Sequence, residues 1–146
     1  MRNNGGSWQT LFGGRSNTVS DNFYVMMSQY GMGGEYTYTS LWNNTRVLID
    51  FSKDALLISQ VETGIVRDPI MINSNGINGQ VPIYLFALNS NGSADARSNA
   101  RLYSMKIYED DTLVRYFVPV QNLSNNAYGI FDLVTQTYIA PMYAAI

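Results

Sequence analysis

Short runs that alternate apolar and polar residues recur along this chain, separated by turns rich in Asn, Gly and Ser. The clearest runs are EYTYTSLW (Glu35–Trp42) and TRVLIDFS (Thr45–Ser52). A period of two residues is typical of a strand with one buried face. Because such runs recur at intervals of about 8–12 residues while helix signals are weak, the pattern predicts an all-β, antiparallel β-sandwich or barrel.

Other segments refine this prediction. The nearly continuous apolar run VPIYLFALN predicts one strand buried on both faces. The following NSNGSADARSN is interpreted as a long polar loop, and Gly13-Gly14 as a break after the first strand. In GIVRDPIMI, Pro69 predicts an edge or irregular strand, because proline cannot donate to the strand ladder.

The most regular stretch is RLYSMKIYEDDTLVRYFVPV, from Arg101 to Val120. Apolar and polar residues alternate on both sides of Glu109-Asp110-Asp111-Thr112, whose Asp residues favour a turn. We therefore predict a hairpin with one apolar face, whose return strand ends at Pro119. An isolated hairpin is only marginally stable, so this one is expected to pack on another sheet.

The composition narrows the classes of function that this chain could have. Hydrophobic residues make up 46% of the 146 residues and charged residues 14%, with a net charge of −2 and scattered Lys and Arg. This composition does not favour nucleic-acid binding, which needs clustered positive charge. With no Cys and no His, disulfides, thiolate catalysis and the commonest general base are excluded. We predict no catalytic residue, no metal site and no cofactor.

Membrane insertion is not expected either. No apolar run approaches the ~20 residues of a membrane-spanning helix. The start, MRNNGGSWQT, has no hydrophobic segment behind Arg2 and is not expected to be a signal peptide. The neutral polar residues and 11 Tyr suit neutral partners such as glycans or neighbouring protein subunits.

RLYSMKIYEDDTLVRYFVPVQN followed by YGIFDLVTQTYI resembles the C-terminal signature of the LamG-like, or concanavalin A-like, jelly-roll modules of gut bacterial surface proteins and phage virion proteins. WQTLFGGR resembles an early strand of these modules, and PIYLFALNSNG a central one. The similarity runs in order from residue 8 to residue 139. The signature indicates a fold rather than a function, because it lies in the scaffold.

The resemblance implies a single jelly-roll domain over residues 1–146. Modules of this type usually carry one or two strands before the WQTLFG-like segment, and only seven residues precede Trp8 here. A trimmed N-terminus, a minimal sandwich and a strand supplied by another chain are the alternatives. Since an uncovered apolar edge is a liability, we expect a homo-oligomer or part of a larger assembly.

The best candidate for a ligand surface is GMGGEYTYTSLWNN. Alternation places Tyr36, Tyr38 and Trp42 on one side, beside the amides of Asn43 and Asn44. Aromatic rings can stack on sugars while amides bind their hydroxyl groups, so these five residues are predicted to bind glycans. The alternative is that the aromatic residues pack into the core or cover an exposed Thr-rich face.

The acidic residues do not indicate an enzyme. A glycosidase needs two carboxylates about 5–9.5 Å apart, and Glu35, Glu62 and Glu109 are isolated in the sequence. Asp132 is expected to accept backbone or Arg hydrogen bonds that fix the last hairpin. We therefore predict a non-catalytic structural or adhesion module, located on a bacterial surface or virion. A carbohydrate-binding module and a concanavalin A-like glycoside hydrolase are the alternatives.

Overall fold

The computed structural model describes residues 9–16, 22–26, 29–32, 35–38, 45–52, 55–71 and 81–140. These residues form fourteen β-strands and no helix, which confirms the all-β prediction. The chain divides into two compact units, an N-terminal unit over Met1–Ala100 and a C-terminal unit over Arg101–Ile146. The prediction of a single domain over residues 1–146 stays a prediction.

Two sheets form the N-terminal unit. The seven-stranded sheet contains β1 (Thr10–Arg15), β2 (Phe23–Met26), β3 (Gln29–Met32), β4 (Glu35–Tyr38), β8 (Tyr84–Leu85), β9 (Leu88–Ser90) and β10 (Ser93–Asp95). The three-stranded sheet contains β5 (Val47–Phe51), β6 (Ala55–Gln60) and β7 (Ile70–Met71). The larger sheet has the order β10-β9-β1-β2-β3-β4 with β8 also on β1, and the smaller has the order β5-β6-β7.

The core of the N-terminal unit lies between these two sheets. Val25 of the larger sheet and Leu56 and Ile58 of the smaller are almost completely buried and form one cluster. Phe51 of β5 meets Phe23 of β2 edge-on, with ring centroids 4.9 Å apart. The unit is therefore a β-sandwich in which side chains of both inner faces interdigitate.

The predicted VPIYLFALN strand is broken in the middle. Phe86 has φ of 59°, so the chain turns there and separates β8 from β9. The amide of Phe86 donates to the carbonyl of Leu11, 2.7 Å away, which fixes the turn on β1. As a result β8 pairs antiparallel to β1 and β9 pairs parallel to it, so this sheet is not purely antiparallel.

Gly13-Gly14 does not end the first strand as predicted, because β1 continues to Arg15. A Cβ atom at Gly13 would lie 2.5 Å from the Cβ of Tyr24 on β2. The glycine is thus explained by the close approach of a neighbouring strand rather than by a turn.

The predicted loop NSNGSADARSN also contains a hairpin, between β9 and β10. Asn91 and Gly92 both have positive φ, of 54° and 93°. Ser90 pairs with Ser93 directly across them. An Asn-Gly pair is a strong hairpin signal when alternating hydrophobic residues flank it. The flanking residues here are polar, so the sequence pattern does not predict the two strands.

The C-terminal unit is a four-stranded antiparallel meander. Its strands are β11 (Met105–Glu109), β12 (Thr112–Gln121), β13 (Tyr128–Asp132) and β14 (Thr137–Ile139), paired in that order. The predicted β11–β12 hairpin is confirmed, with Asp110 and Asp111 at positive φ in a two-residue turn. Pro119 does not end β12 but lies beyond its pairing with β11, where proline is tolerated.

The hairpin does not have the single apolar face that the sequence predicts. Met105 lies opposite Phe117, but Ile107 lies opposite Arg115, and the register shifts after Ile107. Tyr116 shares the other face with Lys106, whose Nζ is 4.8 Å from the ring centroid. Apolar side chains therefore occupy both faces of the four-stranded sheet.

Candidate functional site

Two of the predicted glycan-binding residues lie in β4, at the end of the seven-stranded sheet. The backbone of Tyr36 pairs with that of Gly31, and Tyr38 pairs with Gln29. They occupy alternate register positions of this strand, two residues apart. The remaining predicted residues, Trp42, Asn43 and Asn44, lie outside the described residues, so the five-residue site stays a prediction.

A polar cluster lies at the other end of the same sheet. Asn89 is buried on β9, where its Nδ2 donates to Pro82 O and its Oδ1 accepts from Gly92 N–H, both at 2.7 Å. Beside it, the exposed pair Arg15 and Asp95 has Nη2 and Oδ2 3.3 Å apart. Arg15 of β1 also donates to the Ser90 hydroxyl on β9. Because these contacts bind groups of the protein itself and link β1 to β9 and β10, we interpret the cluster as structural.

The C-terminal unit contains one buried carboxylate among its described residues, that of Asp132 at 2% exposure. Its Oδ1 accepts from the Tyr116 and Val134 amides, each at 3.0 Å. Its Oδ2 accepts from the Thr135 hydroxyl at 2.8 Å and lies 3.5 Å from Arg115 Nε. These contacts confirm that Asp132 fixes the β13–β14 hairpin through backbone and Arg interactions.

The electrostatics of Asp132 suit a structural role. Burial alone raises its pKa, but the Tyr116 amide, the Thr135 hydroxyl and the Val134 amide together hold the pKa below the ordinary 3.8. A general acid needs a raised pKa near the working pH. Asp132 instead stays ionised and accepts hydrogen bonds.

Two described glutamates have exposed side chains. Glu62 follows β6 in the N-terminal unit, and Glu109 ends β11 in the C-terminal unit. In the described part of the chain, no group of three or more Asp and Glu side chains is arranged to hold a metal ion. No helix among the described residues is long and apolar enough to cross a membrane.

Exposed apolar side chains lie on the outer face of the three-stranded sheet. Leu48 on β5 is 61% exposed, and Val66, which pairs with the same β6 residue as Leu48, is 63% exposed. Leu57 and Met71 extend this surface and are also exposed. In the C-terminal unit, Tyr128 is the most exposed of the described tyrosines, at 71%. Both described units therefore carry exposed apolar or aromatic side chains.

Comparison of this chain with protein-family models, curated proteins and solved structures finds no match. Three features of the described residues bear on function. They are the edge strand β4, the buried carboxylate of Asp132 and the exposed apolar surface around Leu48.

Proposed function

We propose that this chain is a non-catalytic module of the LamG-like jelly-roll type, serving assembly and glycan adhesion at a virion or bacterial surface. The C-terminal signature residues suggest the family and its setting. Two packed sheets with mainly antiparallel pairing, as in the N-terminal unit, are a general feature that a jelly roll shares. The module holds partners and does not cleave them.

The position of Tyr36 and Tyr38 in β4 is the observation that carries the adhesion proposal. Among the described residues, β4 pairs only with β3, so its other backbone edge is open to a partner. Tyrosine suits such a site because its ring is apolar while its hydroxyl group forms hydrogen bonds. Trp42, Asn43 and Asn44 follow within a few residues and complete the proposed site.

The interactions of Asp132 support the non-catalytic part of the proposal. This carboxylate is buried, but its oxygens bind donors within its own sheet, so it is not presented to a substrate. Glu62 and Glu109 are exposed, and within each unit neither is paired with a second described glutamate in the way that glycoside hydrolysis pairs two carboxylates.

A glycan array probed with the full chain tests this function. We expect Tyr38→Ala and Trp42→Ala to weaken the signal about tenfold or more, as for other aromatic anchors. Tyr128→Ala is the matched control, since it removes an exposed tyrosine in the other unit. Binding that survives both site variants would contradict the adhesion site.

A reducing-sugar assay on the array-positive glycans tests the absence of catalysis. We expect no sugar release from the wild-type chain. Release that disappears in Glu35→Gln but persists in Glu62→Gln would identify a glycoside hydrolase instead. Glycan binding by a strict monomer would favour the alternative of a carbohydrate-binding module.

A further inference from the structure

Strand β5 leaves one edge open among the described residues, because it pairs there only with β6. The Val61 amide donates to Arg46 O at 3.0 Å, and the Ser52 amide donates to Ala55 O at 2.9 Å. Even-numbered residues of β5 therefore bond towards β6. The amides and carbonyls of Val47 and Ile49, which alternate with them, point to the open edge.

Among the described residues, this edge has few of the features that prevent pairing with another chain. Natural edge strands are blunted by charged side chains, especially Lys, by Pro or by a bulge. Val47–Phe51 contains no Lys and no Pro, its single charged residue is Asp50, and its register with β6 runs without a shift over five residues. Leu48 is also exposed on the outer face. Such an edge is suited to accept one more strand.

We propose that two copies of this chain join antiparallel through β5, around a twofold axis at Leu48. The partner is a second copy because the sequence RVLID is complementary to itself in this arrangement. Arg46 lies opposite Asp50 of the second copy, Val47 opposite Ile49, and Leu48 opposite Leu48. Twofold symmetry produces each unlike pair twice.

The backbone agrees with this register. In an antiparallel pair, residues whose amides face the partner must lie opposite one another. An axis at Leu48 places Val47 opposite Ile49, and both residues point to the open edge. The Arg46–Asp50 and Leu48–Leu48 pairs then occupy the non-hydrogen-bonded positions, where side chains lie closer together.

An axis one residue further on, at Ile49, also satisfies the backbone but not the side chains. It would place Asp50 opposite Leu48 of the second copy and leave Arg46 opposite Ser52. Cross-strand pairs of opposite charge are favourable, and charge opposite an apolar side chain is not. Charge complementarity therefore selects the axis at Leu48.

This interface specifies how copies of the chain would assemble. It rests on the assembly part of the proposed function and not on glycan adhesion. Sedimentation velocity of the full chain should show a species of about twice the 16.4 kDa of one copy. Leu48→Lys should weaken association about tenfold or more, since it opposes two positive charges at the axis. Val66→Lys changes an equally exposed residue of the same face, away from β5, and should leave the dimer intact.

Charge reversal tests the register. Arg46→Asp and Asp50→Arg should each dissociate the dimer, because each opposes like charges twice. Mixing the two variants should restore a dimer, since every Asp then faces an Arg. A wild-type monomer, or dissociation by Val66→Lys as readily as by Leu48→Lys, would overturn the interface. Assembly that is insensitive to all four changes would overturn it too, while leaving the proposed function in place.

Discussion

The least exposed described side chains differ in kind between the two units. In the N-terminal unit they are mainly apolar, with Val25, Leu56 and Leu88 at 0% exposure between or within its sheets. In the C-terminal unit the only buried described side chain is the carboxylate of Asp132, and its apolar residues are half-buried or exposed. The first unit is therefore stabilised mainly by the hydrophobic effect, and the second depends more on hydrogen bonds.

This contrast has a consequence for how each unit responds to its surroundings. Burial of apolar area does not depend on pH, whereas a buried carboxylate contributes only while it is ionised. The two units should therefore differ in their response to acid, and mutations should affect them through different mechanisms.

Leu56→Ala should cost the most stability. It removes a fully buried side chain from the sandwich core, and such substitutions cost about 2–5 kcal/mol through lost transfer energy and the cavity left behind. The matched control is Leu57→Ala, the next residue along β6, which points to the outer face and is exposed. Its cost should stay below about 1 kcal/mol.

Urea unfolding of both variants measures this difference in the free energy of unfolding. Equal losses for Leu56→Ala and Leu57→Ala would show that the two faces of the three-stranded sheet are equally covered, which would contradict the sandwich described above. A change in the slope of the transition would instead show that the variant alters the compactness of an end state.

Asp132→Asn should have the next largest effect, confined to the C-terminal unit. The substitution replaces an ionised acceptor with a neutral amide, so the amides of Tyr116 and Val134 lose their charge-assisted bonds. Hydrogen exchange at these two amides should accelerate about tenfold or more. The amide of Phe86, bonded to Leu11 in the other unit, serves as the internal reference. Equal acceleration there would contradict a local effect.

The same residue predicts the response to acid. Because the folded-state pKa of Asp132 is depressed, its contribution is present above the ordinary pKa of 3.8 and is lost as the pH falls through the lower folded-state value. The protection of the Tyr116 amide, measured relative to its intrinsic exchange rate at each pH, should therefore fall below about pH 3.8 in the wild type. This loss of protection should be absent from Asp132→Asn and retained in the exposed control Glu109→Gln.

The sequence predicted those parts of the structure that depend on local chemistry. The β11–β12 hairpin followed from alternation around two Asp residues, and the role of Asp132 was expected from its place in the YGIFD segment. The break at Phe86 could not be predicted, because neither Gly nor Pro stands there and the turn is fixed by a bond to β1, far away in sequence.

The register of the β11–β12 hairpin could not be predicted from the sequence either. Ile107 pairs with Arg115 but Tyr108 pairs with Leu113, so β12 has one extra residue between these pairs. Nothing local to either strand specifies this shift. The sequence predicts a break at Gly13-Gly14, because the close approach of Tyr24 on β2, which Gly13 permits, is not visible in the local sequence. Of the candidate site, the sequence placed Tyr36 and Tyr38 in one strand, and the structure adds that this strand ends its sheet.

The smallest effect is expected where an Arg–Asp pair lies at the surface instead of being partly buried. Arg15 and Asp95 have the same chemistry as Arg115 and Asp132, but their side chains are 42% and 59% exposed, whereas that of Asp132 is 2% exposed. Water and salt screen such a pair, which is worth about 0.2–1 kcal/mol. A double-mutant cycle of Arg15→Ala and Asp95→Ala in urea should give a coupling energy in that range, falling towards zero as the salt concentration rises. A coupling energy that does not change with salt would contradict this prediction, because the exposed Arg15–Asp95 pair would then behave like a buried pair.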